Sequence, residues 1–256
     1  NPETNTCPPG YFIRGIPDGY TTQVLISGTQ VGYKFLPYIE DSLNLDWARE
    51  TFPVWVGAVN QNDYYGGTPV FVEGFGGNPA DVWINSETGF PVVADEYGIK
   101  QRITVGCNGS ILIDGPLVYN GVGLVNVVPQ TCVYSLGLIS ENWVWLSKGA
   151  PYNAYIHGGI IALDSCFSVH GVYDYTAPVR NSISLFGCVA QKNRGTVHRG
   201  NGGPPSETGY RQKDYSYDQR FTYRPPPYFI TIGHSYTLFD IQEYWDLDYL
   251  SEIFDL

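Results

Sequence analysis

The chain contains no methionine, and its 256 residues include only 14 basic side chains against 25 acidic ones, a net charge of −11. A surface that neutralises nucleic-acid phosphates needs a Lys/Arg excess, so no nucleic-acid partner is expected. No run of 18 apolar residues is present, which excludes a membrane-spanning helix within the sequence. No basic start leads into an apolar block, so no signal peptide is retained, and a chain beginning at Asn1 without Met reads either as a fragment of a longer chain or, the sharper expectation, as a mature exported protein. The five cysteines form no CxxC or CxxCH pair and no Cys/His cluster at metal-ligand spacing, so neither a metal nor a cofactor is expected. The sequence also lacks a Gly-x-Ser-x-Gly elbow and a phosphate loop, and His157, His170, His198 and His234 have no close titratable partners.

Helix-favouring composition is equally scarce. Thirty Gly and 18 Pro weaken helix interiors, whereas 21 Tyr, 12 Phe and 6 Trp with 43% apolar residues supply enough burial for a folded β protein. From about residue 68, short β-branched runs recur, each closed by Gly, Asn or Asp. They are Val70–Gly74, Asp81–Asn85, Ile103–Gly106, Ser110–Gly115, Leu117–Gly121, Leu136–Ser140, Trp143–Leu146, Gly159–Leu163, Phe167–Gly171 and Ile183–Gly187. Their spacing leaves no room for crossover helices. Three short strands per turn predict an all-β fold, a right-handed parallel β-helix whose inward side chains stack in ladders and whose corners use Gly and Asn. An antiparallel β-sandwich is the alternative, with Asn120-Gly121 and Asn201-Gly202 as its hairpin turns.

Four segments follow from this pattern. Residues 1–65 read as an N-terminal accessory segment, with a short helix within Leu36–Thr51, and residues 66–190 as the coils. Residues 191–228, rich in Pro, Gly and Tyr, read as a loop wrapping the core, because Pro225-Pro226-Pro227 imposes extended polyproline geometry. Residues 229–256 read as an acidic amphipathic tail with a short C-terminal helix, on the spacing of Leu238, Ile241, Trp245 and Tyr249. The similar separations Cys107–Cys132 and Cys166–Cys188 make these four residues disulfide candidates stapling adjacent coils, with Cys7 left over.

Residues 98–146 resemble a family of exported bacterial β-helical proteins linked to type IV pilus-like assembly. The likeness rests on Ile103-Thr104 through Gly109-Ser110-Ile111-Leu112-Ile113-Asp114-Gly115-Pro116-Leu117-Val118-Tyr119, then Leu136-Gly137-Leu138-Ile139. It extends over about residues 70–229 through Gly209-Tyr210, Tyr217-Asp218-Gln219-Arg220 and Pro225-Pro226. The resemblance implies an extracellular or cell-surface location and a β-helical architecture, and carries no activity. The apolar N-terminal helix that pilin-like members use to assemble is not in this sequence.

Paired carboxylates for glycosidic chemistry are also lacking. Asp114, Glu141, Asp164 and Asp174 are isolated, and neighbouring Asp95 and Glu96 would face opposite sides of a strand, so no catalytic residue is expected. Asp246-Leu247-Asp248 with Glu252 lacks the glycine and dense oxygen ligands of a calcium loop.

Charge placement is the strongest functional signal. Residues 180–224 hold eight basic side chains against three acidic, while residues 236–256 hold six acidic and no basic ones. Opposite charges in adjoining segments suit either a tail that folds back onto its own basic loop or, the functional reading, a tail that docks on the next subunit with electrostatics setting the register. The assembly-interface candidates are Asp240, Trp245, Asp246, Asp248, Leu250 and Phe254 on the tail, and Arg211, Lys213, Arg220 and Arg224 on the basic segment. The expected function is a non-catalytic extracellular subunit polymerising head to tail with copies of itself. The alternative is a β-helix that binds or cleaves glycans through exposed Trp and Tyr.

Overall fold

A computed structural model describes the strand segments 11–16, 20–27, 30–37, 54–58, 68–74 and 82–85, then residues 98–200, 206–227 and 229. The expected helices within Leu36–Thr51 and in the C-terminal tail lie outside the described residues, apart from Leu36 and Pro37, which end a strand. Cys7 lies outside them too.

The strands are β1 (Tyr11–Ile16), β2 (Tyr20–Ser27), β3 (Gln30–Pro37), β4 (Val54–Ala58), β5 (Thr68–Gly74), β6 (Val82–Asn85), β7 (Arg102–Cys107) and β8 (Ile111–Ile113). They continue as β9 (Ser135–Ser140), β10 (Val144–Leu146), β11 (Asn153–Ala162), β12 (Phe167–Val169), β13 (Val179–Gln191), β14 (His198–Arg199) and β15 (Thr208–Tyr217). They form two sheets, ordered β1-β5-β7-β9-β11-β13-β15-β14 and β12-β10-β8-β6-β2-β3-β4. The coils carrying β1 and β2, β5 and β6, β7 and β8, β9 and β10, and β11 and β12 each give one strand to both sheets, β13 and β15 extend the first sheet alone, and all of these pairings are parallel. The fold is therefore a parallel β-helix, and the sandwich alternative is overturned. Among the described residues, antiparallel pairing is confined to β2–β3–β4 and the two-residue β14–β15 contact.

The expected inward ladders are present. Val105, Leu138 and Ile160 stack in register in the first sheet. Val82, Ile111, Val144 and Phe167 stack in the second, beside Ile84, Ile113, Leu146 and Val169. All of these side chains are buried, each contributing about 1.5–3 kcal/mol of transfer free energy. Every β-branched run named above falls on a strand except Leu117–Gly121. That run makes single parallel contacts in a third row, where Ile99 lies beside Tyr119 and Leu117 beside Ile156.

The long strand β11 serves two faces. Its first half carries Ile156 in the third row, and from Gly159 onward it pairs with β9 in the first sheet. Gly158 at this corner is the register partner of Gly187, and a Cβ on Gly187 would stand 1.7 Å from the Gly158 carbonyl oxygen. Only glycine fits where two coils fold back this closely.

Three expectations need correction. The boundary at residue 65 does not divide the sheets: β1 pairs with β5 and β2 with β6, so this segment supplies strands to the coils. Residues 191–228 are not wholly loop, because β15 runs ten residues along β13, which carries the first sheet beyond residue 190. The prolines do lie outside the coils. Arg102 Nη2 donates to the Pro225 carbonyl at 2.8 Å, and the Thr104 hydroxyl donates to that of Pro227. Phe229 then fills the space left on the first sheet by Gly137 and Gly159.

The third correction concerns cysteine. Among the described residues, no disulfide joins Cys107, Cys132, Cys166 or Cys188 to one another. Their separations resemble a coil length without matching the register: Cys107 stands beside Ser140, and Cys188 beside Gly159. Cys132 lies in an excursion between Tyr119 and β9, and Cys166 precedes β12 in the other sheet.

Candidate functional site

The coil between Leu117 and β9 is lengthened by the excursion 121–134, which leaves the barrel after Asn120-Gly121, where Gly121 has φ +74°. Four buried polar residues converge beneath it. His157 on β11 accepts the Tyr119 backbone N–H at Nδ1 (3.1 Å), so its proton sits on Nε2, which donates to the Val125 carbonyl at 2.7 Å. Burial lowers the His157 pKa below its ordinary value, and the nearby Arg220 guanidinium adds to this, so the ring is neutral. Tyr119 is fully buried, and its hydroxyl accepts the Leu136 N–H at 3.1 Å. Burial raises the Tyr119 pKa far above the ordinary phenol value.

Asp218 and Arg220 complete the group. Their side chains are 0% and 3% exposed and pair through Nε–Oδ1 at 2.9 Å and Nη2–Oδ2 at 2.5 Å. Asp218 also caps the 3-10 turn Gln219–Thr222 by accepting the Arg220 N–H. Burial works against the guanidinium charge, and the Asp218 carboxylate more than offsets it. The remaining Arg220 amine, Nη1, donates to the Cys132 carbonyl at 2.7 Å and the Tyr134 carbonyl at 3.2 Å, while the guanidinium sits 5.2 Å from the Tyr119 ring centre.

These are residue types used in acid–base catalysis, but both nitrogens of His157 and both oxygens of Asp218 are engaged inside the protein. Three of the outgoing bonds end on carbonyls of the excursion, at Val125, Cys132 and Tyr134. The cluster therefore acts as a clamp that fixes the loop. Spacing could not assemble it, since its members lie on separate coils; the short Asp218-x-Arg220 pair was its only local signal.

The clamped loop is apolar on its outer side: Leu124 is 51%, Val127 69% and Val133 50% exposed. Val128 is buried and anchors it. Beside it lie the exposed rings of Tyr215, Tyr217 and Tyr223. Asn126 Nδ2 donates to the Ser216 hydroxyl at 3.3 Å, and the Tyr223 hydroxyl donates to Gln130 Oε1 at 2.8 Å, so loop and strand form one shelf.

The shelf adjoins the end of the coil stack. One edge of β15 pairs with β13 along most of its length, whereas β14 covers the other only at Thr208 and Gly209. Among the described residues, nothing pairs with that second edge over 211–217.

The basic interface candidates are dispersed. Arg211 is exposed on β15 but held by both oxygens of Glu207, at 2.7 and 2.8 Å, and Glu207 also meets His198 Nε2 at 3.0 Å. Lys213 and Arg224 are exposed, on β15 and just after the 3-10 turn. Arg220 is corrected from the interface set, because it is buried in the clamp. Asp240, Trp245, Asp246, Asp248, Leu250 and Phe254 lie outside the described residues. Among the described residues, no group of three or more His, Cys, Asp or Glu could hold a metal ion, and no helix is long and apolar enough to cross a membrane. Compared with protein-family models, curated proteins and solved structures, the chain matches none.

Proposed function

We propose that this protein is a non-catalytic, extracellular structural subunit that assembles end to end with copies of itself. The observation that carries the reading is the second edge of β15, which no described residue pairs with over 211–217, beside an apolar shelf. A row of unpaired backbone groups is a template for another strand, and an apolar patch of this kind on a fixed loop marks an interaction surface. At the opposite end of the first sheet stands β1, the terminal strand, six residues long. A β1 strand laid along β15 of a second copy would continue the parallel stack. Such a head-to-tail contact does not close on itself, and it gives filaments.

Charge supports the same reading. The six acids and no bases of 236–256 oppose the exposed Lys213 and Arg224 near the shelf. The resemblance of residues 70–229 to exported, pilus-associated β-helical proteins agrees with it. Electron microscopy and light scattering of the purified chain test the proposal. Fibres or open-ended oligomers are expected for the wild type, and Val127→Asp with Leu124→Asp should disperse them to monomers. A wild type that remains monomeric at high concentration, or fibres unaffected by the double substitution, would overturn it.

A further inference from the structure

The outer face of the second sheet carries a separate feature that end-to-end assembly does not use. In β10, Val144 and Leu146 point into the core, so Trp145 between them points outward, in register with Leu112 on one side and Ser168 on the other. Trp143, two residues earlier, projects on the same side. The two indoles stack with centres 5.1 Å apart and planes 27° apart, and His170 from the next coil stacks on Trp145 at 4.8 Å and 19°. Tyr173 meets Trp143 edge-on at 6.3 Å. Both tryptophans and His170 are half-buried, and Tyr173 is exposed.

A second observation points to the same place. The turn after β12 holds Tyr175 at φ +61°, the only non-glycine with positive φ among the described residues. A bulky side chain in the left-handed region is strained, and such strain persists where the surroundings enforce it and clusters at ligand sites. Here the surroundings are specific. Arg199 donates to the Tyr173 carbonyl and lays its guanidinium 4.3 Å from the Tyr175 ring centre. Asp174 accepts from both the backbone N–H and the hydroxyl of Thr176, which closes the turn. The result holds the exposed rings of Tyr173 and Tyr175 beside the indole stack, with Asp174 and Thr176 as an exposed polar fringe.

The geometry points to a binding site for a neutral glycan chain on this face. Flat aromatic rings match the C–H faces of pyranose sugars, and side chains of the fringe can bond their hydroxyls. The row crosses neighbouring coils, which suits an extended polymer better than a compact ligand. Charge at the site is mixed: the Asp174 carboxylate stands in the fringe, Lys148 lies close enough to act on it, and Arg199 lies over Tyr175, so a polymer of a single charge sign meets a like charge here and a neutral chain does not.

The test is intrinsic tryptophan fluorescence and calorimetry of the full chain, titrated with cello-, xylo-, manno- and chito-hexaose, with polygalacturonate as the anionic comparison. At least one neutral hexaose is expected to bind, with affinity at least tenfold weaker in Tyr173→Ala and in Trp145→Ala. Tyr175→Gly keeps the folded state available, because glycine adopts φ +61° without strain, and it too should lose at least fivefold in affinity. Three results would overturn the site: no binding of any neutral hexaose, unchanged affinity in Tyr173→Ala and Tyr175→Gly, or salt-sensitive binding of polygalacturonate alone. Tyr217→Ala, on the shelf, should leave glycan affinity unchanged, which separates this site from the assembly surface.

Discussion

On the outer face of the first sheet, Gly137 and Gly159 carry no side chain, and the chain's own Phe229 fills the space above both. On the outer face of the second sheet, Trp143 and Trp145 stand out from the coil, with His170 stacked on Trp145 and Tyr173 edge-on to Trp143. One face is built small so that the chain can cover itself; the other is built large and aromatic, and remains half exposed. Outward side-chain size in a β-helix is thus informative. Glycine in an outward strand position marks an internal docking place, and outward tryptophan marks surface available to a partner.

The largest expected effect lies under the self-covered side of the molecule. Asp218→Ala leaves the Arg220 guanidinium buried and unpaired and should cost about 3–5 kcal/mol in urea unfolding. It should also free the 121–134 excursion, read as new protease cleavage there. A loss under about 1 kcal/mol would show that the clamp does not hold the loop. Next is the strap across the glycines. Phe229→Ala should cost about 2 kcal/mol, less than a full core truncation because Phe229 is only half-buried. A neutral result would mean the first sheet's outer face needs no cover.

A pH effect should be smaller. His157 has a folded pKa below its ordinary 6.5, so below that pH the unfolded chain binds more protons than the folded one. The contribution of neutral His157 is fully present above about pH 6.5 and is lost as pH falls through that value toward the lowered folded pKa. The urea midpoint should therefore drop between pH 7 and pH 5.5, and His157→Gln should flatten that drop. A wild-type midpoint unchanged over the interval would contradict the neutral ring. The smallest effect belongs to the bare face. Tyr173→Ala on the exposed turn should change stability by no more than about 0.5 kcal/mol. A loss above about 2 kcal/mol would make this aromatic row structural and remove the contrast between the two faces.

Much of the coil pattern could be read in advance, because an inward ladder imposes a local rule: alternate residues must be aliphatic, and corners must end in Gly or Asn. Val144 and Leu146 flanking Trp145 obey it, as do Ile111 and Ile113 flanking Leu112. β15 was invisible to that rule. Its sequence Thr-Gly-Tyr-Arg-Gln-Lys-Asp-Tyr-Ser-Tyr has no β-branched run, and pairing with β13 rather than intrinsic preference makes it a strand. The cysteine separations misled for a related reason. Coil lengths vary, as the stacked pairs Gly137–Gly159 and Ile103–Leu136 show, so equal spacing in sequence does not mean equal position on a face. Arg220 looked like surface charge because a sequence count cannot see Asp218 closing around it from two residues away.

The sequence by itself determined the short, Gly- and Asn-cornered strands that favour a coil, the extended run of prolines and the segregation of charge between residues 180–224 and the tail, while the parallel pairing that excludes a sandwich came from the structure. Each of the features set by sequence depends on neighbouring residues along the chain, where periodicity and composition act directly. Only the tertiary structure decided that Tyr119, His157, Asp218 and Arg220 meet, that Phe229 lies over Gly137 and Gly159, and that no described residue pairs with the second edge of β15 over 211–217. Those outcomes join residues on different coils, and the register that brings them together is set by how long each coil's excursion is.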